Sequence, residues 1–253
     1  MFKSSRIRWL IVVLIIIGSC IVVKSWVDGF LENWRSPTNA RETSTVQTFN
    51  KKQLSIDDPA SMWVVVNKKR QLKPKEYAPA DLVTPNVALR SAPTTDEMQM
   101  RKEAAGALEQ MFAAAKADGI NLLMASGYRP YSLQASVYNR YVKNDGQASA
   151  DSQSARPGHS EHQTGLAVDV GGTNRVCEIQ DCFADTPEAK WVAANGYKYG
   201  YIVRYQKDTR STVGYIYEPW HIRYVGKLLA AELRQQKNPP LETFFGLEAA
   251  TDY

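Results

Sequence analysis

The distribution of apolar and polar positions divides the chain into three parts. Residues 9–23 form a long apolar run, and Lys3, Arg6 and Arg8 precede it. A run that is apolar on every side has no polar face to present to water, so we predict a membrane segment rather than a buried helix of a soluble domain. Basic residues on its N-terminal side favour a cytoplasmic N-terminus. Residues 1–27 are therefore predicted to be an uncleaved N-terminal membrane helix, with the rest of the chain outside the cytoplasm.

Two alternatives to an uncleaved anchor stay open, because a spanning helix needs about 20 apolar residues and this run is shorter. A secretory signal peptide would be removed, although no clear small-residue cleavage site follows the run. Residues 17–20, Ile-Gly-Ser-Cys, loosely resemble a lipoprotein box, which would make Cys20 a lipid attachment site. The apolar residues 21–23 after it are unusual for a mature lipoprotein.

Beyond the apolar run, the pattern first loses all periodicity and then regains it. Residues 28–60 are mostly polar and show no sustained period, which is typical of a tether, here an extracytoplasmic linker. From residue 61 onward, apolar positions recur with helical or strand spacing. We therefore predict a single folded domain over residues 61–253.

Periodicity and capping signals predict the elements of this domain. Helices are predicted over residues 94–119, 132–143, 186–196 and 227–236. Strands are predicted over residues 62–67, 120–125, 201–205 and 215–224, the last two as partners. Thr94 and Glu97 fit a capping box at the first helix, and Thr186 with Pro187 fits the start of the third. The small polar residues 147–155 predict a loop, either a rim over a functional site or a plain linker.

Composition and charge then limit the classes of function. At 253 residues with 44% hydrophobic content, the chain can bury one substantial core. The formal net charge is +5, but Lys3, Arg6, Arg8 and Lys24 supply four of those charges before any acidic residue occurs. The remainder is close to neutral, so we do not predict nucleic-acid binding.

Two cysteines of the folded domain are close in sequence. Cys177 and Cys182 enclose four residues in a segment predicted to lie outside the membrane, where oxidising conditions favour a disulfide. The loop-entropy model assigns such a short loop ~2 kcal/mol of stabilisation. Metal binding by this pair is the alternative, but the C-x₄-C spacing is not usual for zinc.

The chain has only three histidines, and their placement suggests a metal site. His162 and Asp169 are seven positions apart, and His221 follows far downstream. Two imidazoles and one carboxylate suit Zn²⁺ and leave a fourth position open for water. His159 in place of Asp169, giving a three-histidine site, is the alternative. Because His159 and His162 are three apart, the helical zinc-protease motifs, which space histidines four apart, do not apply.

The surrounding motifs resemble those of a known family. The quoted residues are Ser160-x-His162-x-x-Gly165-x-Ala167-x-Asp169, then Glu218-Pro219-Trp220-His221, and Ser126-Gly127-Tyr128-Arg129 with Gln134. Taken in their order along the chain, they resemble the LAS metallopeptidases, in particular the VanY-type D-alanyl-D-alanine carboxypeptidases, over residues 65–226. The resemblance implies an α+β fold with a central, mainly antiparallel sheet flanked by helices, as in the LAS and hedgehog-type zinc peptidases.

The resemblance also implies the roles of the chemical groups. His162, Asp169 and His221 would bind one Zn²⁺, and Glu218 would be the general base that takes a proton from water. Arg129 would stabilise the oxyanion or grip a carbonyl, the alternative being a surface ion pair. These roles suit peptide hydrolysis, because zinc makes water nucleophilic near neutral pH and polarises a carbonyl.

Further residues are candidates for substrate binding or for shaping the site. Ser160 and Gln134 are candidates for binding the terminal carboxylate and the peptide backbone; for Ser160, a turn hydroxyl is the alternative. Trp220 would wall the pocket, and Tyr128 would pack with its hydroxyl near it. Glu218 and His221, three apart, would face opposite sides of a regular strand, so Pro219 is expected to break the pairing and let both address one cavity.

The leading hypothesis is a membrane-tethered zinc D,D-carboxypeptidase that hydrolyses the terminal D-Ala-D-Ala bond of peptidoglycan stem peptides. An endopeptidase of the same family is one alternative. A non-catalytic, zinc-stabilised cell-wall-binding module is another, although Glu218 and Arg129 argue against it. The expected partners are the stem peptide and the membrane, and no protein partner is evident.

Overall fold

A computed structural model describes residues 49–253. The predicted membrane helix, residues 1–27, and most of the predicted linker lie outside the described residues. Within residues 49–253, no helix has both the length and the apolar character that a membrane span requires.

The structure is built on two antiparallel sheets. Its strands are β1 (Leu82–Val83), β2 (Met100–Arg101), β3 (Leu122–Ser126), β4 (Ala167–Gly172), β5 (Tyr201–Tyr205) and β6 (Glu218–Tyr224). Strands β1 and β2 pair with each other, and the other four form the central sheet in the order β3-β4-β6-β5 with antiparallel neighbours throughout. All residues of β3, β4 and β6 are buried. The predicted antiparallel sheet and the pairing of the last two strands are confirmed.

Helices and short 3-10 turns connect the strands. The helices are α1 (Lys102–Ala117), α2 (Tyr131–Asp145), α3 (Gln147–Gln153), α4 (Pro187–Asn195), α5 (Arg210–Val213), α6 (Gly226–Gln235) and α7 (Leu241–Phe245). The 3-10 turns are Asp96–Met98, Glu161–Thr164, Asp181–Asp185 and Gly196–Tyr199. Helix α4 begins as predicted, because the Thr186 hydroxyl accepts a hydrogen bond from the Ala189 amide at 3.2 Å.

Two apolar clusters hold the elements together. The larger lies between helix α1 and the central sheet and includes Leu108, Met111, Met124, Val168, Val170 and Ile222. The smaller includes Trp63, Val65, Val225, Leu229, Leu233 and Phe244. Full burial of one such side chain contributes roughly 1.5–3 kcal/mol, so these clusters account for much of the stability of the sheet that carries the site.

The apolar run at residues 62–67 is not a strand, contrary to our prediction. Its side chains do alternate, but Val64 and Val66 enter the larger cluster while Trp63 and Val65 enter the smaller one. The alternation therefore reflects burial of successive side chains in two different clusters, which does not require pairing with a neighbouring strand. Its backbone makes only one isolated bridge, at Asn67.

The long helix predicted over residues 94–119 is shorter than expected. A 3-10 turn and strand β2 occupy its predicted first turns, and helix α1 begins at Lys102. The Arg101 amide donates to the Gly165 carbonyl and the Lys102 amide to the Asp81 carbonyl, so long-range hydrogen bonds hold this segment extended. The predicted capping box at Thr94 and Glu97 is therefore wrong.

The predicted loop over residues 147–155 contains a helix. Residues 147–153 form helix α3, separated from α2 by Gly146 at φ +79°. Asp151 on this helix pairs with Arg156 at 2.8 Å and accepts from the Tyr138 hydroxyl, so tertiary contacts stabilise an otherwise weak helical sequence. Residues 210–213, between β5 and β6, likewise form the single helical turn of α5, where we predicted no helix.

The folded unit starts at Phe49, earlier than the predicted boundary at residue 61. The Phe49 ring stacks on Trp63 with a centroid separation of 5.4 Å. Leu54 and Ile56 also pack against the smaller cluster. Because these apolar residues are spaced irregularly among polar ones, the sequence pattern did not separate them from the linker.

Candidate metal centre and catalytic cavity

Strand pairing brings the predicted ligands together. Asp169 on β4 lies opposite His221 on β6, and Ser126 at the end of β3 lies opposite Asp169. His162 comes from the 3-10 turn before β4, which ends at Gly165 with φ +66°. A side chain at Gly165 would also approach Arg101 Cγ to 3.0 Å, so glycine suits this turn both conformationally and sterically.

His162, Asp169 and His221 form a buried cluster whose candidate ligand atoms all lie within 4.8 Å of one another. His162 Nε2 is 3.4 Å from Asp169 Oδ2, and His221 Nδ1 is 3.3 Å from Asp169 Oδ1. The alternative ligand His159 lies elsewhere, with its Nδ1 2.8 Å from the Asn67 carbonyl and its ring edge-on to Tyr253. The geometry therefore favours the set of two histidines and one aspartate.

Hydrogen bonds orient these donors as a metal site requires. His162 Nδ1 donates to the Gly127 carbonyl at 2.7 Å, so the lone pair of Nε2 faces the cluster. Asp169 Oδ2 accepts from the Ser126 hydroxyl at 2.6 Å, whereas Asp169 Oδ1 is buried without a hydrogen-bond partner. A buried carboxylate oxygen without a partner is costly unless a cation is bound, so the residues fit a divalent metal.

Glu218 reaches the same cluster because β6 is irregular. Val203 pairs with Ile222 but Tyr205 pairs with Glu218, so two steps along β5 face four steps along β6. As a result, Glu218 Oε2 lies 3.7 Å from His221 Nδ1 although the residues are three apart. Strand β6 is continuous through Pro219, but its pairing with β5 is irregular there, as expected, and both side chains line one cavity.

Burial raises the pKa of Glu218 to about 8 in the metal-free protein, and the Asp169 carboxylate adds to this effect. His221 and Arg129 act in the opposite direction without cancelling it. A carboxyl group with a perturbed pKa in a cavity is typical of proton-transfer chemistry.

Arg129 lines the same cavity as Glu218 and is held by its neighbours. Its terminal nitrogens donate to Gln134 Oε1 at 3.1 Å and, more weakly, to the Ser126 hydroxyl at 3.4 Å. Its Nε is buried without a hydrogen-bond partner and is 3.8 Å from Glu97. The guanidinium is thus fixed in the cavity rather than paired at the surface.

The sequence around this site matches a protein-family model. The model described as VanY, D-alanyl-D-alanine carboxypeptidase, matches residues 97–227. This range contains the metal cluster, Glu218 and Arg129. The chain belongs to the VanY family.

Individual relatives agree with this assignment. The putative carboxypeptidase YodJ of Bacillus subtilis is 42% identical over 191 residues, covering 76% of this chain and 69% of YodJ. The solved structure of the LdcB LD-carboxypeptidase superposes with a TM-score of 0.70 at 42% identity, covering 74% of this chain and 87% of LdcB. A mutant of the vancomycin-resistance D,D-pentapeptidase VanY, solved with Zn(II), has a TM-score of 0.56 at 29% identity and covers 73% of this chain and 98% of its own.

The VanY-family site opens into a cavity of about 670 Å³. Ser160 and Trp220 line it, as predicted, and both are largely buried. Gln134 also lines it, but its side-chain nitrogen donates to the Ala155 carbonyl at 2.7 Å, so the amide is engaged within the protein. Tyr128 is buried and is not among the described residues that line the cavity.

Parts of the cavity wall were not predicted from the sequence. Cys177 and Cys182 form the predicted disulfide, and their loop places Ile179, Gln180 and Asp181 at the cavity. Three residues of this loop region, Arg175, Cys177 and Ile179, have positive φ, a conformation that the sequence did not indicate. The short cysteine spacing was a signal for a compact loop but not for its place beside the site.

The groups that support the ligands were also not predicted from the sequence. Ser126 donates a hydrogen bond to Asp169, and Glu161, the residue before His162, is buried between Arg204 and Arg223. The only available signal was an arginine inside each of two predicted strands, because a charged residue in a buried strand requires a buried partner.

Proposed function

We propose that this chain is a zinc carboxypeptidase that removes the C-terminal D-alanine from the D-Ala-D-Ala end of peptidoglycan stem peptides. The observation that carries the proposal is one cavity that combines the buried cluster of His162, Asp169 and His221 with Glu218 and Arg129. Membership of the VanY family supports the substrate class.

His162, Asp169 and His221 would hold the metal. When bound, Zn²⁺ supplies a Lewis acid that polarises the scissile carbonyl and makes water nucleophilic near neutral pH. Three protein donors at an accessible cavity suit a catalytic site better than a closed structural one. A non-catalytic binding module would require neither Glu218 nor Arg129 beside them.

Glu218 acts as general base and then as general acid. Its carboxylate accepts the proton of the attacking water and returns that proton to the amine of the leaving D-alanine. With a metal-free pKa of about 8, the carboxyl is mostly protonated at neutral pH. A dication in the adjacent cluster favours the charged form, so metal binding places Glu218 in its basic state.

Arg129 stabilises the negative charge that develops on the carbonyl oxygen. Its guanidinium is already oriented by Gln134 and Ser126, so little reorganisation is needed when that charge forms. Gln134 therefore acts through Arg129 rather than as a direct substrate ligand. Ser160 is the candidate donor to the terminal carboxylate, and Trp220 closes the pocket around the alanine methyl group.

An L,D-carboxypeptidase is the second candidate, because the LdcB LD-carboxypeptidase is 42% identical to this chain. The two activities release the same D-alanine and differ in the chirality of the preceding residue. The metal cluster, Glu218 and Arg129 serve both reactions equally. Selection between them must come from the outer cavity wall.

The experiment compares two synthetic stem peptides with the zinc-loaded, full-length chain. The first is a pentapeptide ending in D-Ala-D-Ala, and the second is a tetrapeptide in which an L-diamino acid precedes one terminal D-alanine. Mass spectrometry of the products decides between them: loss of one alanine from the pentapeptide supports the first proposal, and loss from the tetrapeptide alone supports the second. Longer fragments from cross-linked peptides would indicate an endopeptidase. No turnover of any wall peptide by a chain that binds zinc would contradict both proposals.

We also propose that the chain acts at the outer face of the cell membrane, anchored by residues 1–27 with a cytoplasmic N-terminus. The apolar run and the basic residues before it support this topology. Protease digestion of intact spheroplasts tests it: the catalytic domain should be digested while a short N-terminal fragment stays with the membrane. Recovery of an intact domain in the culture medium would indicate a cleaved signal instead.

A further inference from the structure

The side chain of Glu161 is buried beside the metal cluster, although the proposed reaction assigns it no role. Its Oε1 accepts from Arg204 Nε at 2.9 Å and from an Arg223 terminal nitrogen at 2.8 Å. Its Oε2 has no hydrogen-bond partner and lies 3.5 Å from Nε2 of His221, which is also buried without a partner. An acceptor, Oε2 of Glu161, therefore lies next to a potential donor, Nε2 of His221, on the side of the His221 ring that faces away from Asp169.

The orientation of the His221 ring shows which of its two nitrogens can bind a metal and which needs a hydrogen-bond acceptor. Nδ1 points toward Asp169 and Glu218, at 3.3 and 3.7 Å, and Nε2 points away from them toward Glu161. If Nδ1 is to offer a lone pair to a metal, the ring proton must be on Nε2, where it needs an acceptor.

We propose that Glu161 is a positioning residue that accepts the Nε2–H of His221 and so holds Nδ1 as a metal ligand. The inference rests on the zinc site of the proposed function and adds a residue that acts on zinc through His221. The two histidine ligands are then supported differently: a neutral carbonyl, that of Gly127, orients His162, whereas an anionic carboxylate orients His221 and increases its donor strength.

The buried charges around Glu161 keep it available for this task. Arg204 also binds both oxygens of Glu242, at 2.6 and 2.9 Å, and Arg223 donates to the carbonyls of Met62 and Val64. The guanidinium groups of Arg204 and Arg223, both hydrogen-bonded to Oε1, favour the charged form of the Glu161 carboxyl. Two arginines and two carboxylates balance each other, so Glu161 stays an acceptor with one free oxygen.

The substitution Glu161→Gln tests the proposal with little change in side-chain volume. Oε1 must still accept from the two arginines, so the new amide group would turn its NH₂ toward the Nε2–H of His221, placing donor against donor. Zinc affinity of the full-length chain, measured by competition with a chromophoric chelator, should fall 10- to 100-fold.

Glu242→Gln is the matched control. It also removes one buried carboxylate from Arg204, but Glu242 binds Arg204 and Asn67 rather than His221. We expect both variants to lose stability in thermal unfolding and only Glu161→Gln to lose zinc affinity. Equal zinc affinity in the two variants would overturn the proposal, because Glu161 would then contribute to folding alone.

A measurement on the unmodified protein keeps the proposal testable if Glu161→Gln does not fold. With only three histidines in the chain, ¹⁵N NMR of the zinc-loaded protein can assign each ring tautomer. His221 should carry its proton on Nε2, and that proton should exchange slowly with water. A proton on Nδ1 of His221 would overturn the role of Glu161, whereas failure of the unmodified chain to bind zinc would instead remove the proposed function.

Discussion

Glu218 and His221 lie on the same side of strand β6, 3.7 Å apart, although a regular strand would direct residues three apart to opposite faces. The extra residues of β6 between its pairings with Tyr205 and Val203 produce this arrangement. Proton transfer and metal binding thus depend on one local irregularity of the central sheet.

Glu218→Gln should abolish most turnover while leaving the metal site intact. Loss of a positioned general base costs typically 10²–10⁴-fold in rate. We expect kcat to fall by about that factor, with zinc content near one per chain by elemental analysis. Unchanged kcat would remove Glu218 from the mechanism, and loss of zinc would show that it supports the metal instead.

Asp169→Ala and His159→Ala distinguish the two ligand sets. Asp169 Oδ1 is buried in the cluster without a partner, whereas His159 is engaged with the Asn67 carbonyl. Zinc content should be lost in Asp169→Ala and retained in His159→Ala. The reverse result would support the three-histidine site.

Arg129→Lys should lower kcat by about 10²–10³-fold, the usual cost of removing one oxyanion donor. Lysine keeps the charge but loses the planar fork that Gln134 and Ser126 orient. Arg140→Lys, on the same cavity wall, is the control and should change kcat by less than about threefold, because it contributes to the wall rather than to the oxyanion site. Similar losses in both variants would mean that the effect is general to the cavity wall and not specific to Arg129, and no loss in either would mean that the cavity needs only positive charge.

The double variant Cys177→Ser, Cys182→Ser should reduce the free energy of unfolding by ~2 kcal/mol, the loop-entropy value for so short a loop. Because the loop lines the cavity, KM should rise more than kcat falls. Denaturant unfolding and steady-state kinetics measure both effects. The unmodified chain in reductant should behave like the variant; if it retains full stability and KM, the disulfide has no part in either.

His159 should make the zinc-free protein less stable as pH falls. Burial, which is the main effect, lowers the pKa of His159, and the nearby Arg156 adds to it. Below about pH 6.5 the unfolded chain binds a proton at this histidine that the folded chain does not, so acidification favours unfolding.

Urea unfolding at pH 7.5 and 5.5 tests this pH dependence. His159→Gln should lose less stability than the unmodified chain over that interval. His162 and His221 are present in both proteins, so their contributions cancel in the comparison. Parallel pH dependence of the two proteins would show that His159 titrates normally.

Local elements were predictable where one segment contains its own signal. Thr186 and Pro187 predicted the start of helix α4, and the short spacing of Cys177 and Cys182 predicted their disulfide. Residues 62–67 were wrongly predicted to be a strand. Alternating side chains show that the two faces of a segment have different surroundings, but they do not show that the segment pairs with another strand. The same limit applies to residues 96–101, where a 3-10 turn and strand β2, the latter held by distant backbone partners, replace the helix that the local capping signal indicated.

The sequence by itself determined the chemical inventory of this protein: two histidines, a carboxylate, a glutamate and an arginine in motifs that resemble one family, with an antiparallel α+β domain to hold them. Only the tertiary structure decided how they work together. Glu161 contacts His221, and Ser126 donates a hydrogen bond to Asp169, although the residues of each pair are far apart in the chain. The disulfide loop likewise lines a cavity built from distant segments. Such contacts depend on strand register and on the balance of buried charges, which arise only when the whole core is assembled.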